Sequence, residues 1–248
     1  MVTKLDNNER AIVYLFKGSD NYDGISYESF KSLEKIITNL FPKFTIYYWN
    51  NIDVQPEKWH QKAICIFPGG ECGKWQKILS KKRQKKIFQW LKNGGKIIGI
   101  CAGAYFCSKK SIYSVNPYQQ IKVERIIQPF QGICQGPFLS HKIEIVKVKW
   151  EKTQEEGYVT LIKGGSFIQN QSNIQNQSTN DEILARFSVN NAIATIKCKT
   201  DQGISILSSV HWEFEVQDVK PFVLDANLLE NSQEFRKNCM IEMIKSIV

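Results

Sequence analysis

The sequence lacks any apolar run long enough to cross a membrane, has only three histidines, and contains no Cys-x-x-Cys pair among its seven cysteines. Since a membrane-spanning helix needs about 20 consecutive apolar residues, we expect no membrane partner. The N-terminal residues are polar and lack the apolar core of a signal peptide, so we expect a cytoplasmic protein. An odd number of cysteines without metal-ligand spacing indicates reduced thiols and no metal site. Four of them are expected to serve mainly in packing: Cys65, Cys107, Cys198 and Cys239.

The net charge of +9 is concentrated in one segment, because seven basic side chains lie within residues 75–93. Apolar residues recur along one side of this segment, which predicts a single helix with a buried apolar face and a solvated basic face. No nucleic-acid-binding motif accompanies the charge, so we expect no specific nucleic-acid partner. An acidic protein partner would suit the same basic face.

Alternating strand and helix patterns in the first hundred residues predict an α/β fold with a parallel sheet and right-handed crossovers. Residues 27–40 form an amphipathic helix pattern that ends before Phe41 and Pro42. Residues 18–24 follow the first strand and are interpreted as a connecting loop, although a place beside the substrate cleft is the alternative. Strands are predicted at 11–16, 44–49, 63–67 and 96–100.

Beyond Gly103 the pattern becomes richer in strands. Hairpins are predicted from 143–150 with 158–163, and from 183–187 with 192–197. A polar stretch at 169–181 is predicted to be a mobile insertion within one domain covering 1–248. A last helix is predicted to begin with a reciprocal cap at 231–234 and to run to about residue 247. Its inward-facing side chains are predicted to be Phe235, Met240 and Ile244.

The most specific functional signal is a cysteine between two glycines, where a short apolar strand at 96–100 ends and a helix pattern begins. In a Gly-x-nucleophile-x-Gly turn the nucleophile occupies a strained strand-to-helix corner, and small neighbours allow the backbone and a substrate to approach closely. Cys101 would be this nucleophile, at the amino end of a helix whose dipole favours a thiolate. An ordinary buried turn can have the same composition, so other features must decide.

A general base for the thiol must come from one of the three histidines. His211 follows a strand-like run at 203–210, and Glu213 stands two residues further on. Residues two apart on an extended segment project to the same side, so the imidazole and the carboxylate can meet. A cysteine nucleophile needs such a base, and the base needs a group that orients its ring. His60 is interpreted as a solvated surface residue, and His141, in a turn-like stretch, is the weaker candidate.

A Pro-Gly-Gly turn follows the strand at 63–67. Such a turn frees backbone N–H groups at the carboxyl edge of a parallel sheet, where open α/β sheets place their ligands. The N–H of Gly70 could therefore serve an oxyanion hole. The alternative is an ordinary turn that ends a strand.

Five motifs in this order resemble one known family. They are Phe-Pro-Gly-Gly at 67–70, Gly-Gly-Lys-Ile-Ile-Gly-Ile-Cys-Ala-Gly-Ala-Tyr at 94–105, Cys-Gln-Gly-Pro at 134–137, Lys-Gly-Gly-Ser-Phe at 163–167 and His-Trp-Glu-Phe at 211–214. The chain resembles the N-terminal, class I glutamine amidotransferase-like domain of biotin–protein ligases and its standalone relatives. The resemblance implies a flavodoxin-like three-layer α/β sandwich, with a mostly parallel central sheet and additional antiparallel strands.

The same resemblance implies roles for individual residues. Cys101 would be the nucleophile, His211 the base and Glu213 its orienting acid, and the N–H groups of Gly70 and Ala102 would bind the oxyanion. The resemblance also implies a set of residues along the substrate cleft: Gly69, Gly103, Tyr105, Gly136, Gly164 and Gly165.

The sequence also departs from the biotin ligases, because no Gly-Arg-Gly biotinyl-adenylate loop is present. We therefore expect no biotinylation by this chain alone. The leading hypothesis is a cysteine-dependent amide hydrolase or amidotransferase-like enzyme that acts on a small amide or acyl substrate and needs no cofactor. The first alternative is a non-catalytic domain that binds a metabolite or a protein partner. The second is a glyoxalase-like hydrolase that uses a different acid, for which Glu71 is the candidate.

Overall fold

The computed structural model describes residues 11–18, 24–50, 54–169 and 181–248. Thirteen strands of this part of the chain join into one sheet. They are β1 (Ile12–Phe16), β2 (Thr45–Trp49), β3 (Ile64–Phe67), β4 (Lys96–Ile100), β5 (Ser108–Asn116), β6 (Gln119–Glu124), β7 (Phe130–Gly136), β8 (Ile143–Trp150), β9 (Glu156–Ile162), β10 (Ser166–Ile168), β11 (Glu182–Phe187), β12 (Ile193–Thr200) and β13 (Gly203–Ser208). The α-helices are α1 (Tyr27–Leu40), α2 (Cys72–Ile78), α3 (Lys81–Lys92), α4 (Ala102–Phe106), α5 (Val216–Val219), α6 (Asn227–Glu230) and α7 (Gln233–Lys245).

The centre of the sheet consists of five parallel strands in the order β2-β1-β3-β4-β13. Strands β3 and β4 are almost wholly buried and apolar, as is usual where both faces of a parallel sheet are covered. Beyond β13 the order continues through β12, β10, β7, β5 and β6, and these strands pair antiparallel except for β7 with β5. The predicted α/β class, with a parallel centre and added antiparallel strands, is confirmed.

The position of β13 brings two distant segments of the chain to the same edge of the sheet. This strand comes from late in the chain, yet it lies parallel to β4, with Ser208 beside Ile100 in the register. The N–H of Cys101 donates to the carbonyl of Ser208 at 2.7 Å. Because the carboxyl ends of parallel neighbours meet at one edge, the segments that follow β4 and β13 leave the sheet side by side.

The four strands predicted in the first hundred residues are all present, each within one residue of its predicted start. Both predicted hairpins are confirmed as antiparallel pairs, β8 with β9 and β11 with β12. Strand β9 ends at Ile162 because Lys163 takes a left-handed φ of 55° and leaves the ladder. The predicted insertion at 169–181 and the loop at 18–24 fall mostly outside the described residues.

The single helix predicted over 75–93 is wrong, because two helices, α2 and α3, occupy this region. The break follows from Ser80, whose extended backbone and side-chain oxygen cap α3 by accepting from the N–H of Arg83. Buried Gln84 donates to the carbonyl of Leu79 and so satisfies the end of α2. The basic face remains exposed, and its cations include Lys86, paired with Glu57.

The reciprocal cap predicted at 231–234 is also wrong. The hydroxyl of Ser232 accepts instead from the N–H of Tyr158 at 2.9 Å and so ties the start of α7 to β9. A capping box is present earlier in the chain, where the Glu215 and Asp218 side chains cap α5. In α7, Met240 and Ile244 are buried as predicted, and Phe235 is half-buried against Trp212.

Candidate active site

The cysteine corner between β4 and α4 is strained and tightly packed. Cys101 has φ 51° and ψ −103°, a conformation that a non-glycine residue rarely adopts and that costs about 1–3 kcal/mol. A Cβ atom on Gly103 would lie 2.3 Å from the carbonyl oxygen of Phe67, and one on Gly99 would lie 2.7 Å from the carbonyl oxygen of Gly103. The two flanking glycines therefore let α4 pack directly on the ends of β3 and β4.

The ring of His211 and the carboxylate of Glu213 form a direct hydrogen bond. Nδ1 of His211 lies 2.7 Å from Oε1 of Glu213, and both side chains are buried, each residue being 2% exposed. The two residues lie on a bend after β13 rather than on the strand itself, because β13 ends at Ser208. The prediction that the two side chains meet is confirmed, and the extended segment that was expected to bring them together is replaced by this bend.

The His211 ring is fixed on several sides. Phe214 stacks on it, with ring centroids 4.5 Å apart and planes 10° apart. A Cβ atom on Gly69 would lie 2.7 Å from Cε1 of the ring, so only glycine leaves room there. The backbone N–H of His211 donates to the carbonyl of Thr160 on β9 at 2.8 Å, which fixes the main chain that carries the ring. These contacts hold the imidazole in one orientation without using Nε2.

The charges around His211 favour its protonated form. Burial opposes a charge on the ring, but the carboxylate of Glu213 and the Cys101 thiol raise the pKa of His211 well above its ordinary value of 6.5. Among the described residues, Nε2 of His211 has no hydrogen-bond partner of acceptable geometry, although the ring interacts electrostatically with the Cys101 side chain. Nδ1 therefore serves the carboxylate, and Nε2 is available to exchange a proton with the thiol.

The sulfur of Cys101 lies under the end of β9. The residue is 7% exposed, and its Sγ donates to the carbonyl of Ile162 at 3.3 Å. Cys101 and His211 therefore both form a hydrogen bond to a backbone carbonyl of β9.

The Pro-Gly-Gly turn lies beside this corner. The segments around Gly70 and Ile25 form a β-bridge. In it the backbone N–H of Glu71 donates to the carbonyl of Gly24 at 2.6 Å, and the backbone N–H of Ser26 donates to the carbonyl of Gly69 at 3.0 Å. Neither bond uses the N–H of Gly70. Its φ of 145° is one that side chains avoid, and a Cβ atom there would lie 2.1 Å from the carbonyl oxygen of Gly24.

Ala102 is the first residue of α4, where an N–H has no partner within the helix. Next to it, the N–H of Gly103 donates to the carbonyl of Pro68 at 3.3 Å, which ties the helix start to the Pro-Gly-Gly turn. The predicted oxyanion donors, Gly70 and Ala102, thus belong to two segments that are directly bonded to each other. In the described part of the chain, no backbone acceptor is bonded to either N–H.

A family comparison bears on this arrangement. The model of the family described as the N-terminal part of biotin-protein ligase matches residues 13–247 of the chain. The chain belongs to the biotin-protein ligase N-terminal family. The match contains all five sequence motifs and every residue of the corner described above, so the resemblance noted from the sequence is confirmed.

Curated relatives of this family member are distant in sequence. A biotin-protein ligase of Schizosaccharomyces pombe is 22% identical over 203 residues, a match that covers 75% of this chain and 31% of the ligase. An uncharacterized protein of Chlamydia muridarum is 24% identical over 161 residues, covering 61% of this chain and 60% of that protein. The chain therefore spans less than two thirds of the length of both relatives.

Solved structures share its fold. A glutamine amidotransferase aligns with a TM-score of 0.55 at 15% identity, covering 81% of this chain and 90% of that one. A cytoplasmic protein of Salmonella typhimurium LT2 aligns with a TM-score of 0.55 at 9% identity, covering 96% and 99%. The glutamine amidotransferase-like fold is thereby confirmed for this biotin-protein ligase N-terminal family member.

Two of the remaining glycines predicted along the cleft, Gly136 and Gly165, pack against Tyr105 of α4. Its hydroxyl donates to the carbonyl of Lys163 at 3.0 Å, and burial raises the pKa of Tyr105 far above its usual range. A Cβ atom on Gly136 would lie 1.9 Å from that hydroxyl, and one on Gly165 would lie 3.0 Å from it. A Cβ atom on Gly164 would lie 2.0 Å from the carbonyl oxygen of Ser209. These glycines therefore allow the chain after β9 to close over α4.

The other polar candidates from the sequence lie apart from the histidine ring. The carboxylate of Glu71 is exposed and pairs with Lys74 at 3.0 Å. His141 is exposed, with its ring against Tyr113, and His60 is exposed near the start of β3. Glu213 is accordingly the carboxylate bonded to His211.

Two buried residues near the corner carry no signal in the sequence pattern. Ser29 on α1 donates from Oγ to Oε1 of Glu213 at 2.7 Å. Arg125, after β6, donates to Sγ of Cys72 at 3.2 Å and stacks over the ring of Phe106. Burial raises the pKa of the Cys72 thiol, and the guanidinium opposes that rise. Both residues are distant in sequence from the groups they contact, so no local motif indicates them.

Two further features concern the helices of this family member. Within the described ranges, no helix combines the length and the apolar character that crossing a membrane requires. A surface groove on α3 is lined by Lys81, Lys82, Lys85, Lys86 and Gln89, and so contains none of the residues of the cysteine corner.

Proposed function

We propose that this protein is a cysteine-dependent amide hydrolase or amidotransferase-like enzyme. The observation that carries the proposal is the buried His211–Glu213 pair beside a cysteine held at a strained strand-to-helix corner. A nucleophile next to a base that is itself oriented by a third group is the arrangement that acyl transfer requires. The family membership and the fold agree with this chemistry.

In the proposed first step, the thiol proton already resides on Nε2 of His211, and the thiolate of Cys101 attacks the carbonyl carbon of a small amide or acyl substrate. The carbonyl electron pair moves to oxygen, and the N–H groups of Gly70 and Ala102 stabilise this oxyanion, each donor contributing about 3 kcal/mol. When the tetrahedral intermediate collapses, the C–N bond breaks and the amine leaves with the proton from His211. The product is a thioester on Cys101.

In the second step, water or an amine attacks the thioester and gives its proton to His211. The C–S bond breaks, the acid or a new amide is released, and the thiolate beside the imidazolium is restored. Glu213 remains a carboxylate throughout and stabilises the imidazolium of His211. These steps need proton transfers and oxyanion donors only.

The burial of Cys101 favours one alternative, a non-catalytic domain that binds a metabolite or a protein partner. In this alternative, the thiol is a structural donor to Ile162, and its 7% exposure reflects ordinary packing. The two functions differ in the reactivity of the sulfur, which can be measured directly.

The test is covalent labelling of the full chain by iodoacetamide and by chloroketone analogues of glutamine and other amides, followed by intact-mass analysis. The thiolate displaces chloride from the chloroketone, so one C–S bond forms and one C–Cl bond breaks. We expect Cys101 to react at least about 100-fold faster than an ordinary exposed thiol. A Cys101→Ala variant should lose this fast adduct.

Cys72→Ala is the matched control, because Cys72 is half-buried whereas the other six cysteines are buried, so it is the most accessible competing thiol. This variant should keep the fast adduct. If none of the analogues reacts with Cys101 faster than with an ordinary thiol, the enzyme proposal fails and the binding domain becomes the better explanation.

A further inference from the structure

A polar strip on helix α1 faces the segment that contains the acid of the proposed triad. Ser29, Ser32 and Lys35 are spaced by three residues, so they lie along one side of the helix. Each donates to a different carboxylate in residues 213–218. The helix therefore holds this segment through three hydrogen bonds, of which only one reaches the acid beside His211.

Ser29 makes the contact of most consequence. It is fully buried, and its Oγ donates to Oε1 of Glu213 at 2.7 Å while accepting from the N–H of Gly69 at 2.9 Å. A hydroxyl can donate once and accept as well, so this one group joins two elements of the site. It joins the carboxylate that orients His211 to the turn that contains Gly70.

The carboxylate of Glu213 depends on this contact. Its Oε1 receives both Nδ1 of His211 and the hydroxyl of Ser29, whereas its Oε2 is buried without a partner among the described residues. A buried carboxylate with one bare oxygen is costly, and each remaining donor counts for more than it would in water. Without Ser29, His211 would be the one hydrogen-bond partner left to this carboxylate within the described ranges.

We propose that Ser29 is a positioning residue that couples the orienting acid Glu213 to the oxyanion turn at Gly69 and Gly70. The inference rests on the proposed function, since it assigns a role within the same site. Ser29 touches no reacting atom. Its effect passes through Glu213 to the ring of His211, and through Gly69 to the neighbouring N–H of Gly70.

The test compares Ser29→Ala with Ser32→Ala in the full chain. Ser32 is the matched control, because it lies on the same face of α1 and donates to a carboxylate, that of Asp218, at 3.1 Å. We expect Ser29→Ala to slow labelling of Cys101 by the chloroketone about 10- to 100-fold, the loss of a hydrogen bond to a charged group. Ser32→Ala should change the rate by no more than about twofold.

Two further measurements separate positioning from general destabilisation. In Ser29→Ala the acid limb of the rate–pH profile should move to higher pH, because the carboxylate loses a donor that stabilises its charge. In a Glu213→Gln background, Ser29→Ala should have a clearly smaller effect, because the route through the carboxylate has been removed and only the route through Gly69 remains. Equal midpoints of thermal unfolding for the two serine variants would show that the slower labelling of Ser29→Ala does not come from a less stable fold.

The inference is overturned if Ser29→Ala and Ser32→Ala slow labelling equally, or if Ser29→Ala keeps its full effect in the Glu213→Gln background. Should wild-type Cys101 show no enhanced reactivity, the proposed function fails by itself, and NMR still tests Ser29. The Nδ1 proton resonance of His211 should shift or broaden in Ser29→Ala and remain unchanged in Ser32→Ala. An unchanged resonance in both variants would overturn the inference independently.

Discussion

Replacing His211 by alanine is expected to lower the rate of fast labelling at Cys101 by about 10²- to 10⁴-fold, the usual contribution of a positioned general base. The ring is bonded to Glu213 and stacked on Phe214, so its loss removes the proton acceptor and empties a packed site. Iodoacetamide and the chloroketone glutamine analogue, followed by intact mass, give the rate for wild type and variant under the same conditions.

Two other histidines provide controls for this prediction. His60 and His141 are exposed and lie outside the corner, so alanine at either position should leave the rate within about twofold. If His211→Ala labels as fast as these controls, the thiol does not depend on the imidazole. The assignment of His211 as the base would then be wrong, even if Cys101 remained reactive.

Glu213→Gln is expected to act on the same pair through charge. Removing the carboxylate removes the main electrostatic reason for the raised pKa of His211, so that pKa should fall toward or below its ordinary value of 6.5. Because the pKa of His211 is raised in the folded protein, the wild-type pair contributes stability that is fully present below pH 6.5 and is lost as the pH rises through the raised pKa. NMR titration of the His211 ring in both proteins measures the change, and an unchanged pKa would contradict the role of Glu213.

Local patterns were sufficient to find the parts of the site that lie within a few residues of each other. Cys101 between Gly99 and Gly103, and His211 two residues before Glu213, are short motifs whose geometry follows from strand ends and tight turns. The sequence order alone does not place β13 beside β4, which is what brings these two motifs together. That adjacency depends on long-range pairing, and the family resemblance supplied it in advance.

The parts that could not be predicted depend on contacts between distant residues. Ser29 lies 184 residues from Glu213, and a serine on the inner face of α1 looks like any small buried residue. Ser80 lay inside a continuous apolar periodicity, and its capping role became visible only through its bond to the N–H of Arg83. Ser232 could have capped α7, but Tyr158 of β9 uses its hydroxyl. In each case a serine is neutral in the local pattern, and its partner decides what it does.

The second large effect is expected from Gly103→Ala, a change of one methyl group. The added Cβ would lie 2.3 Å from the carbonyl oxygen and 2.9 Å from the Cβ of Phe67, so backbone must move. Because α4 and the end of β3 are both buried, this movement should cost at least about 2 kcal/mol in the free energy of unfolding. It should also displace Cys101 from His211 and slow labelling, since Cys101 directly precedes the same helix.

Gly73→Ala is the matched control for this loss. Gly73 lies in the first turn of α2, is exposed, and would place its Cβ with no atom within 4 Å. Alanine there should stabilise the fold by about 0.5–1 kcal/mol, because it restricts the unfolded chain and favours the helix. If close packing at the corner makes Gly103 necessary, urea unfolding should show that the free energy of unfolding falls in Gly103→Ala and rises in Gly73→Ala. Equal effects of the two variants would mean that the corner can relax around a side chain, and that the small flanking residue is not what holds Cys101 in place.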